Sequence, residues 1–485
     1  MELTARELAS ITGGNVVAGD PDARATSYTI DSRALAPGAC FVALIAERDG
    51  HDFVADAAAR GATVALVTRD VPHAELAVVK VDDVFGALAR AGRAARDALH
   101  DATVVGVTGS AGKTGTKDLV AAALAPKFAV HASPGSYNNE AGVPLTLLAA
   151  GPATEALVLE MGARAHGDIA ALCAIARPTV GVITNIGVAH AGPLGGRAGV
   201  TRVKGELLEA LDAHGLAVLD AGDPETPGLA ARTSARVLLV SAGEAGADVR
   251  AVDVALDAEL RPRFRIESPW GGGPVALEVR GAHNVVNATL ATAVALAHGV
   301  AFDDVTAGLA TVQPAPWRME VARTAEGLVV LDDAYNANPS STAAALEALA
   351  RVDVPGRRLA VLGEMRELGD LSEREHAALG ELVGAIAVDA LIAVGPEAAP
   401  LAAAARAAGV VVTEVPDAAT ALDATRGYVV PGDAVLVKGS RAVGLELVAT
   451  ALRGAVREQA VREQAVREQA VQEQAVREQG PEDAE

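Results

Sequence analysis

The sequence predicts an α/β protein in three domains: a small N-terminal α/β unit, a central unit with a glycine-rich phosphate-type loop on a parallel sheet, and a Rossmann-like C-terminal unit. Three observations point there. The length of 485 residues corresponds to roughly three domains of about 150 residues each. Hydrophobic residues make up 51% and aromatics only 2%, so the cores are packed by Ala, Val and Leu, as in layered α/β folds. Short apolar runs alternate with helical patterns along most of the chain, which is the pattern of βαβ crossovers.

Residues 1–100 read as the first unit. Strand candidates lie at 40–45 and 63–67, with turns at Asp31-Ser32-Arg33 and Asp49-Gly50-His51. The second unit, 101–314, opens on the β-branched run Val104-Val105-Gly106-Val107-Thr108. Further buried strands are expected at 156–159, 180–184 and 216–219, antiparallel strands over 248–280, and a helix over 281–298. The third unit, 315–454, begins near Pro314-Ala315-Pro316, and its strands at 328–331, 359–362, 391–394 and 435–437 suggest a second doubly wound sheet. Residues 455–485 are a low-complexity tail in which Ala-Val-Arg-Glu-Gln recurs five times, once with Gln472 in place of Arg. Five residues advance a helix by about 500°, so the valines form no stripe. An isolated frayed helix or disorder is expected there, not a coiled coil.

The chain carries 41 basic and 62 acidic residues, a formal net charge of −21. That excludes broad electrostatic adhesion to nucleic acid or anionic lipid, but not an anionic small molecule in a local site. The two cysteines, Cys40 and Cys173, have no metal-type spacing and read as buried thiols of a reducing compartment. The charged start Met1-Glu2-Leu3-Thr4-Ala5-Arg6-Glu7 lacks the apolar core of a signal peptide. No run of ~18 apolar residues suggests a membrane span. A cytoplasmic monomer without membrane insertion is the expectation.

The most informative segment is Thr108-Gly109-Ser110-Ala111-Gly112-Lys113-Thr114-Gly115, which follows a strand and opens a helix. Its glycines let the backbone turn tightly and aim N–H groups inward. The helix N-terminus adds partial positive charge, and Lys113 a full one. The Thr114 hydroxyl is placed to ligate Mg²⁺. The strict phosphate-loop spacing wants glycine where Val107 stands, so this is a shortened Gly-x-x-Gly-Lys-Thr variant.

In this form the loop resembles the ATP loop of the Mur ligase family. The segments Asn138-Asn139-Glu140-Ala141-Gly142-Val143-Pro144, Glu160-Met161-Gly162-Ala163, Thr184-Asn185-Ile186-Gly187-Val188-Ala189-His190 and Gly281-Ala282-His283-Asn284 resemble family segments in the family's order. Asp332-Asp333-Ala334-Tyr335-Asn336-Ala337-Asn338-Pro339 and the segment 361–369 resemble the branch that adds a dipeptide. The match runs from Asp31 to about Arg441 and leaves out the tail. Trp317 precedes Arg318 where the family usually has glycine.

The resemblance implies an ATP-dependent amide-bond-forming ligase of peptidoglycan precursor synthesis. ATP would phosphorylate the carboxylate ending UDP-MurNAc-tripeptide, and the amine of D-Ala-D-Ala would attack the acyl phosphate. It implies ATP on the loop, with Lys113 at the β- and γ-phosphates. It also implies two Mg²⁺ held by Thr114, Glu160, His190 and a carbamylated Lys204. Read alone, His190 is a loop histidine and Lys204 an exposed helix lysine. Asn284 and Asn287 are expected near adenine and ribose, with helix capping the competing reading for Asn284. Arg318 is expected at the γ-phosphate, a hinge ion pair being the alternative, and Asp333 at the nucleotide. Tyr335, Asn336 and Asn338 are expected to shape the dipeptide pocket, and Asn138 and Asn139 to lie near substrate. Lys438, Ser440 and Arg441 could bind a substrate carboxylate. Ser32 and Arg33 could grip the UDP pyrophosphate, and Asp49 and His51 could frame uridine. Rival readings are a sister ligase adding one amino acid and a phosphate-loop switch that does not ligate.

Overall fold

In the computed structural model, residues 1–454 are described apart from 47, 72–75, 189–190, 244–245 and 325–326. The repeat tail therefore lies outside the described residues, as does His190.

Buried apolar runs become strands of three α/β sheets. The first sheet has five strands in the order Asn15–Ala18, Ala77–Lys80, Val64–Val67, Ala39–Val42 and Ser27–Thr29. Its ladders are parallel except at Asn15–Ala18. The helix Val84–Ala98 follows, started by Asp83, whose carboxylate accepts the N–H groups of Phe85 and Gly86. This helix packs on the helix Gly142–Ala149 of the next unit. The approach is so close that a Cβ on Gly92 would lie 2.7 Å from Pro144 Cα. One apolar core consequently runs from Leu3 to Leu207, through both units.

The central sheet has nine strands. Its parallel heart sets Thr103–Thr108 between Ala156–Glu160 and Val180–Ile183. The antiparallel expectation for 248–280 holds for Val249–Leu256, Pro262–Glu267 and Gly273–Ala276. It needs one correction: Val249–Leu256 also joins the parallel strand Arg236–Ala242, which the sequence reading passed over. The expected helix over 281–298 is His283–Ala297.

The third sheet orders Glu320–Arg323, Val329–Asp332, Ala434–Lys438, Arg358–Gly363, Ala390–Val394 and Val411–Val415, all parallel except the first. The three-domain α/β layout is thus as the sequence predicts. Both cysteines are free and buried, and burial pushes each thiol up to about 12. Among the described residues no helix is long and apolar enough to cross a membrane.

Candidate active site

Parallel strands bring their carboxyl ends to one edge, where α/β folds place ligands. The glycine loop leaves that edge after Thr108. Gly109 has φ +146°, and a Cβ there would meet Thr184 Oγ1 at 2.0 Å, so only glycine fits. The neighbouring loop braces the turn. Ser110 N–H donates to the Asn185 carbonyl at 3.0 Å, and Ala111 N–H to Asn185 Oδ1 at 3.0 Å. Thr184 Oγ1 and Asn185 Nδ2 donate to the Ala111 carbonyl at 2.5 and 3.1 Å. This bracing role escaped the sequence reading, in which Thr184 and Asn185 were only part of a resembling segment.

Glu160 ends the adjacent strand and is 1% exposed. Thr114 Oγ1 donates to its Oε2 at 2.7 Å, and Asn138 Nδ2 to its Oε1 at 2.7 Å. Arg318, reaching across from the third unit, donates from Nη2 to Thr114 Oγ1 at 3.0 Å and stacks over the Tyr335 ring at 4.1 Å. Lys113 Nζ donates to the Gly109 carbonyl at 2.9 Å. Burial lowers the Lys113 pKa; Glu160 opposes this and Arg318 adds to it. Lys204, 1% exposed rather than on an open helix face, is pushed down to about 7 by burial and then by the Lys113 charge. These groups line one cavity of about 1070 Å³. Charged side chains of both signs line this chamber, with Lys113 and Arg318 beside the glycine loop, so an ionic ligand suits it far better than an apolar one.

The sequence comparisons agree with this geometry. Residues 107–295 match the Mur ligase middle domain, and residues 317–441 the Mur ligase glutamate ligase domain. The UDP-N-acetylmuramoyl-tripeptide–D-alanyl-D-alanine ligase of Mycobacterium tuberculosis is 42% identical, over 93% of this chain and 98% of that one. The chain belongs to the Mur ligase family. The Escherichia coli protein of the same name is 34% identical over 93% of this chain and 99% of its own. The crystal structure of MurF from Acinetobacter baumannii superposes with a TM-score of 0.83 at 33% identity, covering 93% of this chain and 99% of that one. MurF ligase from Thermotoga maritima in complex with ADP superposes with a TM-score of 0.75 at 30% identity, covering 89% and 98%.

In this Mur ligase the third unit closes the cavity opposite the loop. Asp333 Oδ2 and Lys438 Nζ pair at 2.7 Å, and the same ammonium donates to the Asn336 carbonyl at 2.7 Å. Asn338 caps the helix Pro339–Arg351 through its side-chain oxygen, and its Nδ2 faces the Ser110 carbonyl at 3.5 Å. Tyr335 hydrogen-bonds Ser136 through its hydroxyl. Ser440 and Arg441 line the cavity, Arg441 stacked on Trp317 at 4.6 Å. Asn284 does not cap its helix: Ala282 holds the cap position, and Asn284 Nδ2 donates back to the Arg280 carbonyl at 2.7 Å. Its Oδ1 accepts from Asn287 at 2.9 Å, and Asn287 lies against Gly112. Asn139 lines the cavity while its side chain accepts from Gly142 N–H at the next helix.

The first-unit candidates are not gathered into this cavity. Arg33 is exposed and forked onto Asp31 at 2.9 and 2.8 Å, beside buried Ser32. His51 is buried with both ring nitrogens in use. Its Nδ1 lies 2.6 Å from Asp49 Oδ1, and its Nε2 accepts Thr68 N–H at 2.9 Å. The ring therefore holds its own loop together and has no nitrogen left to offer uridine. Asp49 is engaged as well: its Oδ1 accepts the His51 N–H at 3.0 Å and its Oδ2 pairs with Arg69 at 3.0 Å.

Proposed function

We propose that this enzyme joins D-Ala-D-Ala to UDP-MurNAc-tripeptide at the expense of ATP, through an acyl phosphate, giving the pentapeptide precursor of peptidoglycan. The observation that carries this reading is the cavity between the third unit and the glycine loop, where Lys113 and Arg318 converge on Thr114 and Glu160, in a chain matching D-alanyl-D-alanine ligases over 93% of its length. A carboxylate is a poor electrophile and repels ATP, so the site must first neutralise charge. Lys113 and the loop N–H groups do this at the β- and γ-phosphates, and Arg318 does it at the γ-phosphate with a planar fork. Asn284, Asn287 and Asp333 hold the nucleoside end.

Thr114 and Glu160 offer hard oxygens 2.7 Å apart, a donor set suited to Mg²⁺. Among the described residues no cluster of three or more His, Cys, Asp or Glu gathers. A cation there would draw its remaining ligands from phosphate oxygens and water, as Mg²⁺ commonly does. Bound there, Mg²⁺ would supply charge neutralisation on the transferring phosphate. In the same reading Lys204 is carbamylated, turning a buried positive charge into a further oxygen donor, and the family resemblance assigns His190 to a second cation.

The acyl carbon is attacked by the free amine of the dipeptide, a carbon–nitrogen bond forms, and phosphate leaves as the tetrahedral centre collapses. Tyr335, Asn336 and Asn338 shape the dipeptide pocket, and Lys438, Ser440 and Arg441 face a substrate carboxylate. Ser32, Arg33 and the Asp49 loop lie on the unit that takes the UDP end. Hydroxylamine tests the intermediate. With ATP and UDP-MurNAc-tripeptide but no dipeptide, it is expected to yield the tripeptide hydroxamate, detectable by mass. ATP turnover with no hydroxamate would refute an acyl phosphate.

A further inference from the structure

Arg318 sits in a backbone segment that does not hold its shape cheaply. Trp317 has φ +59° and Met319 φ +50°, so two residues with side chains flank Arg318 in the left-handed region. Such a conformation persists only where neighbours impose it. Here the amide on each side of Arg318 is gripped by a carboxylate. Trp317 N–H donates to Glu320 Oε1 at 2.8 Å, and Met319 N–H to Asp333 Oδ1 at 3.1 Å. The Trp317 carbonyl accepts Tyr335 N–H at 3.1 Å.

Glu320 has a problem of its own. It stands directly across the strand pair from Asp332, which is fully buried, and like charges so placed repel. Arg453, from the helical residues 446–454, resolves this. One guanidinium nitrogen pairs with Glu320 Oε2 and the other donates to Asp332 Oδ2 at 2.8 Å. That leaves the other Glu320 oxygen on the Trp317 amide.

We infer that Arg453 is a positioning residue for the ligation reaction: by clamping Glu320 against Asp332 it fixes the strained turn that aims Arg318 at Thr114. Arg453 touches neither the glycine loop nor the cavity, and it lies beyond both matched family segments. The inference rests on Arg318 acting at the phosphate, and the test separates the two.

The test is a double-mutant cycle with Arg453→Met and Arg318→Ala, reading kcat for ADP release, KM for ATP and the melting temperature. Arg453→Met is expected to lower kcat about tenfold, the size seen for coupled neighbours, with KM for ATP within about twofold. In the Arg318→Ala background the same substitution is expected to change kcat less than about twofold, because its target is gone. Arg453→Lys should recover only part of the loss, since a point charge cannot fork between two carboxylates. A lower melting temperature with unchanged kcat, or losses that multiply in the double variant, would overturn the inference. Arg318→Ala with undiminished kcat would instead overturn the role of Arg318. Should Arg453→Met not fold, Glu320→Gln enters the same cycle with the same expectations, because it breaks the clamp from the other side.

Discussion

Lys113→Ala is expected to lower kcat at least ~10²-fold, the loss typical of removing one preorganised charge from a transition state. The helix Lys113–Leu124 still presents its N-terminal amides in the variant, and Gly109 and Gly112 still shape the turn. What goes is the single full charge inside the loop, held 2.9 Å from the Gly109 carbonyl. Stability should not fall with activity. A cation in the first turn of a helix opposes the helix dipole, and here it is also desolvated beside Arg318. The variant should therefore melt at or slightly above the wild-type temperature. Lys113→Arg is not expected to rescue it, because the longer planar group does not fit where a point charge sits. Steady-state ADP release and a thermal melt on the same preparations check this; wild-type turnover in the alanine variant would remove the loop from the mechanism.

Lys204→Met is expected to separate stability from activity still further. Lys204 is almost fully enclosed, and its ammonium titrates near 7 rather than 10.5. Below about pH 7 the folded protein carries the whole cost of a buried charge. Between about 7 and 10.5 the unfolded chain binds a proton that the folded protein does not, so wild-type stability rises with pH across that window. Methionine has similar volume and no charge. In CO₂-free buffer at neutral pH, without nucleotide or Mg²⁺, the variant should gain on the order of 1–4 kcal/mol, as when buried charges yield to packed apolar groups. The alkaline rise should disappear with it. Ligase activity should fall at least ~10²-fold, since the oxygen donor proposed for the carbamylated side chain is lost. Urea midpoints at two pH values, read beside turnover, decide this; a variant less stable than wild type would contradict the burial argument.

Much of this molecule was legible in the sequence because parallel strands buried on both faces read as apolar runs. Val104 to Thr108 and the strands Arg358–Gly363 and Ala390–Val394 are of that kind. Of the strands missed, Arg236–Ala242 does contain an apolar run, but others lack one. Val411–Val415 is an edge strand with its residues partly exposed, and Val130–Ala132 is only three residues long. At the site, the glycine loop announced itself because only glycine satisfies Gly109 and Gly112. The bracing by Thr184 and Asn185, the clamp at Arg453 and the self-contained bonding of His51 depend on which loops become neighbours in space. No local pattern encodes that. The unusual Trp317 was visible as a departure from family glycine, but its meaning emerges only with its positive φ and the carboxylate on its amide.

One assay reaches the root of the account, which is that opposed anions are brought together by cations so that a phosphoryl group can be spent on an amide bond. The protein is supplied with ATP and Mg²⁺ and ADP is followed as UDP-MurNAc-tripeptide and D-Ala-D-Ala are added singly and together. Rapid ADP release is expected only with both present, in step with formation of the pentapeptide. Equal ADP release with neither present, or with a single amino acid in place of the dipeptide, would contradict it.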